Sequence, residues 1–339
     1  MKKLAEKILI LVLVLLVVIV PLGNVFVYKT EHRGKLQDGL YLADEQYDAV
    51  LLGSSHMNGG FDPNVLWKQK GIVSFNYATG GQPIDVSYYL LKEILKKQEK
   101  PLVVLDAFYL GLTKEYGETG LVSNALDNMD LSRNKLDAVW NCVPANERLF
   151  YLFPLLKYHF RWSSLAAADF TYDCSSVYYT KGFGAGTTHY GKPISSWEKT
   201  ENRAAIPPKS LEYLNKIVAL CKENGCRLLL VNFPCDYSEP DAEDGWVNDC
   251  EAMFNTVADY AAQNGVEFLD LYDKADDFGL DFASDMNNAG HLNIWGACKA
   301  SAYFADYLAQ NYGLADHRSD SAYAQWGEDY KKSQAASVL

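Results

Sequence analysis

The sequence predicts an α/β fold, a parallel sheet covered by helices, preceded by one membrane-spanning helix. Short continuous apolar segments alternate with longer ones in which apolar residues recur every three or four positions. This alternation is typical of strands joined by helical crossovers. The apolar segments are barely interrupted by polar residues, which indicates strands buried on both faces. A long uncharged stretch near the amino terminus predicts the additional helix.

The amino terminus is predicted to be a membrane anchor. Residues 1–7 carry three lysines, and residues 8–28 contain no charge. About 20 helical residues cross a bilayer core, and preceding basic residues keep the amino terminus cytoplasmic. We therefore expect a single-pass protein of the cell membrane with its remaining residues outside. The alternatives are a buried helix of a soluble protein and a cleaved signal peptide, although a cut after Gly23 would place Pro21 unfavourably.

Five strands are expected in the outer part. Each is a short apolar segment bounded by Gly, Pro or Asp, and Leu228 to Val231 shows the continuous pattern most clearly. Because the carboxyl ends of parallel strands form the ligand-binding edge of such sheets, chemistry is sought there. The predicted strands are residues 48–53, 71–76, 101–106, 226–231 and 266–271.

Four helices are expected between and after these strands. In the first, Ile84, Tyr88, Leu91 and Leu95 recur at helical spacing. Proline opens the second helix and Gly225 closes it, as is common at helix ends. The predicted helices are residues 83–97, 207–224, 247–263 and 294–310.

Residues 107–206 interrupt the alternation and are rich in aromatic side chains. An insertion that follows a strand end lies on the ligand side of the sheet, so we interpret it as a lid. Residues 315–339 are polar and mixed, which predicts a tail. The outer domain is thus expected to comprise residues 29–314.

The charge balance argues against one class of partner. Lys plus Arg number 31 and Asp plus Glu number 43, so the net charge is −12. A nucleic-acid-binding protein normally carries a basic surface, and that function is disfavoured. The histidines show no metal-ligand spacing, and we expect neither a metal nor another cofactor.

Two segments carry the candidate chemistry. The first predicted strand ends in Gly53-Ser54-Ser55, a turn that lifts a serine above the sheet edge and aims backbone N–H groups beside it. His291 lies in a polar loop after the last strand. A serine at one strand end and a histidine at another can meet, so that the histidine takes the serine proton. His56 is an alternative base, but sequence neighbours rarely face each other, and we expect it to line the pocket instead.

These segments resemble the SGNH, or GDSL-type, hydrolase superfamily, and the resemblance covers roughly residues 48–310. It implies a three-layer α/β/α, flavodoxin-like sheet. By position Ser55 matches the nucleophile and His291 the base. Gly81 matches the glycine whose N–H, together with that of Ser55, forms the oxyanion hole, and Gly80 is the alternative.

The sequence departs from the superfamily pattern at two places. The residue three before the histidine is Asn288 instead of aspartate, so either Asn288 or Asp285 is expected to orient the ring. The Gly-x-Asn-Asp block is missing, because the matching strand ends in Asp106. The usual Asn donor to the oxyanion hole therefore needs a substitute, and the candidates are Asn76, Asn232 and Gln82.

The closer resemblance is to membrane-anchored members of that superfamily, which act beside a membrane-bound O-acyltransferase. Phe61-Asp62-Pro63 and Gly81-Gln82-Pro83-Ile84 carry it, as does Tyr158-His159-Phe160-Arg161-Trp162. It implies acyl transfer onto a cell-envelope polysaccharide or teichoic-acid-like polymer. A carbohydrate esterase with the same site and a catalytically inactive binding subunit are the alternatives.

Two residues of the insertion are candidate substrate contacts. An arginine can hold a phosphate or carboxylate of a polymer, so His159 and Arg161 are weakly predicted to bind substrate. The alternative is a hydrogen-bonded structural pair beneath the lid.

Overall fold

The computed structural model describes residues 2–29, 34–171, 174–194, 199–237 and 245–337. Five parallel strands form one sheet in the order β2-β1-β3-β4-β5. The strands are β1 Ala49–Leu52, β2 Ser74–Asn76, β3 Leu102–Asp106, β4 Leu228–Asn232 and β5 Glu267–Asp270.

Helices surround this sheet. Within the described residues the α-helices are α1 Lys2–Phe26, α2 Lys35–Gln37, α3 Ser55–Gly60, α4 Pro63–Lys70, α5 Ile84–Ile94, α6 Thr119–Leu126, α7 Arg133–Cys142, α8 Arg148–Leu152, α9 Pro154–Tyr158, α10 Ala167–Thr171, α11 Ser175–Tyr178, α12 Pro208–Asn224, α13 Cys250–Asn264, α14 Phe282–Asp285, α15 Ile294–Tyr312 and α16 Ala324–Ser337. A π-helix covers Asp38–Leu42, and 3-10 turns cover Phe108–Gly111, His159–Ser163 and Ser321–Tyr323.

The sheet has an apolar core on each face. Along β1, Val50 and Leu52 belong to one core, and Leu51 belongs to the other. Helices α5 and α12 pack together over the first core, and α4 and α15 pack together over the second. Burial on both faces explains the continuous apolar strands, since alternate side chains point in opposite directions. The predicted parallel α/β fold is confirmed. Both ends of each predicted strand and of the four helices after α1 lie within three residues of those observed, whereas α1 begins six residues before the predicted segment.

Helix α1 is long and apolar enough to cross a membrane. Its 25 residues correspond to about 37 Å at 1.5 Å per residue. Most of its apolar side chains are exposed, as a surface that faces lipid would be. Its carboxyl-terminal turns contact residues of α9 and the segment that follows it, at Gly23 and Phe26.

Some aromatic side chains of the predicted insertion belong to the apolar core, as Tyr151 does, and others lie in two further places. Phe108, Tyr109 and Tyr190 line a cleft at the carboxyl edge of the sheet. Phe160 and Trp162 lie in the segment that packs against α1. Tyr172 and Trp197 fall outside the described residues.

The carboxyl-terminal segment differs from the predicted tail. Helix α16 packs on α4, with Trp326 fully buried at a ring distance of 5.6 Å from Trp67. The Asp329 carboxylate lies 2.7 Å from the Lys181 ammonium, and both side chains are buried. A short polar helix has little stability of its own, so its order comes from this tertiary packing, which the local sequence does not reveal.

The buried indole predicts a stability effect. We expect Trp326→Ala to lower the free energy of unfolding by about 3–5 kcal/mol, the usual cost of truncating a large buried aromatic side chain. Urea unfolding of the purified chain, followed by circular dichroism, measures it. Gln334→Ala, at an exposed position of the same helix, should change stability by less than about 0.5 kcal/mol. Equal stability of the two variants would contradict the docked helix.

Candidate active site

The turn after β1 is built around a glycine. Gly53 has φ +137°, a conformation that side chains rarely adopt, and a Cβ there would overlap the Asp106 side chain. The register pairs Leu52 with Leu105. The residues that follow, Gly53 and Asp106, are therefore neighbours at the carboxyl edge of the sheet. The glycine therefore permits the close approach of β1 and β3 at the edge where the site lies.

Asp106 fixes the serine turn through three hydrogen bonds. Its carboxylate accepts the Ser54 backbone N–H at 3.0 Å, the Ser54 hydroxyl at 2.6 Å and the Phe108 N–H at 2.9 Å. Burial raises the pKa of Asp106, and these hydrogen bonds oppose that rise. Ser54 in turn caps α3 by accepting the His56 N–H at 3.3 Å. The first residue of α3, Ser55, is thereby held at the sheet edge.

Ser55 and His291 are brought together, as the sequence predicts. Ser55 Oγ lies 2.7 Å from His291 Nε2, and both residues are half-buried. On the far side of the ring, His291 Nδ1 lies 3.0 Å from Asn288 Oδ1. The three side chains form a continuous line, in the order that the predicted nucleophile, base and orienting group require.

The contacts of Asn288 determine the tautomer of the base. Its Oδ1 also accepts the backbone N–H groups of Gly290 at 3.0 Å and His291 at 2.9 Å. Because backbone N–H groups can only donate, the atom facing them is the amide oxygen. That oxygen needs a donor from the ring, so Nδ1 carries the proton and Nε2 is left to accept from Ser55. A neutral amide orients the imidazole in this way without adding a negative charge.

Asp285 is engaged elsewhere. Its carboxylate accepts the Lys299 ammonium at 2.6 Å and the Asp281 N–H at 2.7 Å, and the side chain is buried. Its carbonyl accepts the Asn293 N–H at 2.9 Å. Of the two predicted orienting residues, Asn288 is the one that contacts His291. Asp285 instead stabilises the start of the loop that carries His291.

His56 forms a wall of the site. Its ring stacks on Phe108 at 3.9 Å between centroids and lies 4.5 Å from the His291 ring. Burial, and secondarily the neighbouring His291, hold the pKa of His56 well below its usual value. The side chain is thus neutral at physiological pH and lines the pocket, as expected.

The loop after β2 approaches the serine turn. The Thr79 N–H donates to the Gly53 carbonyl at 3.2 Å, which joins the two turns. Gly81 has φ +64°, and a Cβ there would overlap Leu121. This conformation explains the glycine, while the oxyanion-hole role of Ser55, Gly80 and Gly81 stays a prediction.

The three candidate substitutes for the missing Asn donor all serve the scaffold. Asn76 Nδ2 donates to the Met57 carbonyl at 2.8 Å. Asn232 Nδ2 donates to Asp270 at 3.0 Å, and Gln82 Nε2 donates to Ser87 Oγ at 2.9 Å. Each amide is thus used to hold neighbouring elements in place.

A cleft of about 870 Å³ opens beside Ser55 and His291. One set of lining residues is aromatic, and a second is acidic with a single lysine. They are Phe108, Tyr109, Tyr190, Tyr237 and Trp246, and Asp236, Asp249, Glu251 and Lys192. Among the described residues no group of three His, Cys, Asp or Glu side chains is arranged to hold a metal ion.

His159 and Arg161 are not among the residues that line this cleft, and their substrate contact stays a prediction. The Arg161 guanidinium pairs with Asp169 at 2.9 Å and lies over the Tyr28 ring at 4.0 Å. His159 is exposed, and its Nδ1 lies 3.1 Å from the Leu156 carbonyl. Arg161 has a structural role, because its guanidinium contacts Asp169 and the end of α1. A local sequence motif cannot show such long-range contacts.

No family model matches this chain, and no curated protein matches it. The geometry of the site is therefore what defines its chemistry: a serine and a histidine in contact at the carboxyl edge of a parallel sheet, with a neutral amide behind the base.

The neutral amide predicts a pH effect. In Asn288→Asp, a carboxylate next to the ring would favour the imidazolium and raise the pKa of the histidine in that variant. The histidine would then lose its proton only at higher pH, so the acid limb of the kcat/KM profile should shift to higher pH. Asn288→Ala should lower kcat/KM by about 10- to 1,000-fold, because the ring loses its orientation. Hydrolysis of a fluorogenic acetyl ester between pH 5 and 9 measures both effects.

Asp285→Asn is the matched control for this series. It should lower stability through the lost Lys299 contact while leaving the acid limb in place. A shift of that limb in Asp285→Asn, with none in Asn288→Asp, would show that the orienting group is misassigned.

Proposed function

We propose that this chain is a membrane-anchored, extracytoplasmic acyltransferase of the SGNH type. It would move an O-acetyl or similar acyl group onto a cell-envelope polysaccharide or teichoic-acid-like polymer. The observation that carries the proposal is the 2.7 Å contact between Ser55 Oγ and His291 Nε2. The parallel sheet with a core on each face and the apolar α1 support the proposed three-layer domain and its anchor.

In the first half-reaction, His291 Nε2 takes the proton of Ser55 as Oγ attacks the acyl carbonyl carbon. The developing oxyanion would be held by the backbone N–H groups of Ser55 and Gly81. The imidazolium then gives its proton to the departing oxygen of the donor, and the acyl group stays on Ser55 as an ester.

In the second half-reaction, an acceptor hydroxyl gives its proton to His291 Nε2 and attacks the Ser55 ester. The imidazolium returns this proton to Ser55 Oγ, which leaves as the hydroxyl. Asn288 Oδ1 holds the Nδ1 proton throughout, so the same ring nitrogen faces the reacting atoms in both halves. The resemblance implies a membrane-bound O-acyltransferase as the donor partner.

The charge of the cleft bears on the acceptor. Among the described lining residues, Asp236, Asp249 and Glu251 are acidic and Lys192 is the one basic residue with a permanent charge. Carboxylates repel phosphate or uronate groups but accept hydrogen bonds from sugar hydroxyls. The cleft therefore favours a neutral polysaccharide over a phosphate-rich polymer.

An esterase is the second candidate, because the dyad is half-exposed and water can reach it. Water would then replace the acceptor hydroxyl in the second half-reaction. The inactive binding subunit is favoured only by the neutral Asn288, whose lack of charge weakens support for an imidazolium.

Labelling tests whether the site is catalytic. A fluorophosphonate probe should label the full-length chain, and Ser55→Ala and His291→Ala should lose labelling. Both should also reduce ester hydrolysis by more than about 1,000-fold. Ser54→Ala is the matched control: it loses the hydroxyl bond to Asp106 but keeps the backbone N–H bond to Asp106 and the proposed nucleophile, so labelling should persist at a reduced rate. Equal labelling of wild type and Ser55→Ala would exclude both enzyme functions.

Product analysis separates transfer from hydrolysis. With an activated acetyl ester and a neutral oligosaccharide, mass spectrometry should detect acetylated sugar in the wild type and not in Ser55→Ala. A phosphate-bearing oligomer should be a poorer acceptor, and this preference should weaken at high salt because added ions screen the repulsion. Release of acetate alone, at a rate independent of either acceptor, would favour the esterase.

A further inference from the structure

The carboxyl-terminal end of α1 is held by the segment of residues 149–170. Gly23 of α1 approaches so closely that a Cβ there would lie 3.3 Å from Pro154 Cδ. Arg161 donates to the Phe26 carbonyl and covers the Tyr28 ring. This segment therefore stays beside the last turns of α1.

The depth of this contact follows from the length of α1. Ile8–Phe26 spans about 28 Å, close to the roughly 30 Å thickness of a bilayer core. Gly23 lies three residues before the end of the helix, about 5 Å back along its axis. Pro154, which contacts Gly23, is thus at the level where hydrocarbon meets the lipid headgroups.

The outward face of the same segment is apolar. Six of the eleven exposed large hydrophobic side chains in the described part of the chain beyond α1 fall within residues 149–170. Trp162 is the most exposed of them, at 74%. These six define what we call the juxtamembrane surface: Leu149, Phe150, Leu156, Phe160, Trp162 and Phe170.

The charges of the segment are paired in its interior. Lys157 contacts Asp127 at 3.0 Å, and Arg161 contacts Asp169 at 2.9 Å. Arg161 and Asp169 are both buried, as charges next to a low-dielectric medium need to be. Exposed apolar and aromatic side chains with paired charges beneath them are the composition of a surface that rests at a membrane interface.

We propose that the juxtamembrane surface inserts into the interfacial layer of the outer leaflet, so that the outer domain lies on the bilayer. The proposal rests on the proposed anchoring by α1, because that helix sets the depth of the segment. The occupant of the surface is lipid; a partner protein or a second copy of the chain would leave Trp162 away from lipid in an isolated monomer.

Tryptophan quenching by lipid tests the proposal. The full-length chain would be placed in nanodiscs holding one copy each, made with lipid brominated near the top of its acyl chains. We expect Trp162→Phe to remove at least about half of the emission that this lipid quenches, since indoles prefer the interface. Trp295→Phe, which removes an exposed indole of α15, should leave that emission unchanged.

A second variant protects the test against local misfolding. Phe160→Trp in the Trp162→Phe background returns an indole to the surface and should restore quenching. Lipid-quenchable emission that is unaffected by both changes would overturn the proposal. Carbonate washing of vesicles tests the anchor separately, because a chain held by α1 stays with the membrane whether or not the surface inserts. Neither measurement depends on Ser55, so failure here and failure of the acyltransferase proposal are distinguishable.

Discussion

The hydrogen bonds from Ser54 to Asp106 are the constraint on which the site depends. They join the ends of β1 and β3, which are neighbours in the sheet. The chain places β2 on one side of β1 and all later strands on the other, so the strand order changes direction between β1 and β3. A buried carboxylate is costly without donors, and Ser54 supplies two of them at once. The same contact sets the start of α3 and hence the direction of Ser55. Ser55, the proposed nucleophile, is therefore positioned by a neighbour that takes no part in the proposed proton transfer.

The loop that carries the histidine depends on a second polar group. Asn293 caps α15 through its Oδ1, while its Nδ2 donates to the Ser284 carbonyl at 2.8 Å and to the Thr188 carbonyl at 3.1 Å. Asn58, just after the nucleophile, donates to the Gly182 carbonyl at 2.8 Å. Part of the insertion thus bridges the nucleophile helix and the histidine loop, which makes it a structural member of the site.

Local patterns were sufficient for the features that the sequence predicted. Continuous apolar strands and helix-ending glycines reveal the sheet because they reflect burial and backbone conformation within a few residues. Ser55 and His291 could be paired because parallel strand ends share one edge. The choice between Asp285 and Asn288 could not be made, since it depends on which way a loop turns. Asp106, Arg161 and Trp326 have distant partners, and a single sequence gives no sign of such partners.

The contact between Arg161 and the end of α1 limits how far the rest of the chain could move relative to a membrane that α1 spans. A flexible tether would let the outer domain of the proposed membrane-anchored protein move through a volume above the bilayer, whereas the last turns of this helix are in contact with residues 149–170. If α1 spans the membrane as proposed, these non-covalent contacts restrict the height and tilt of the cleft, and lateral diffusion and rotation about the membrane normal remain. Under the proposed function, the cleft and its acceptor would then meet by a search in two dimensions. The search is restricted to acceptor chains that pass through one thin layer above the lipid. Under the proposed function, the membrane-proximal portion of the acceptor polymer is the part that the chain would modify.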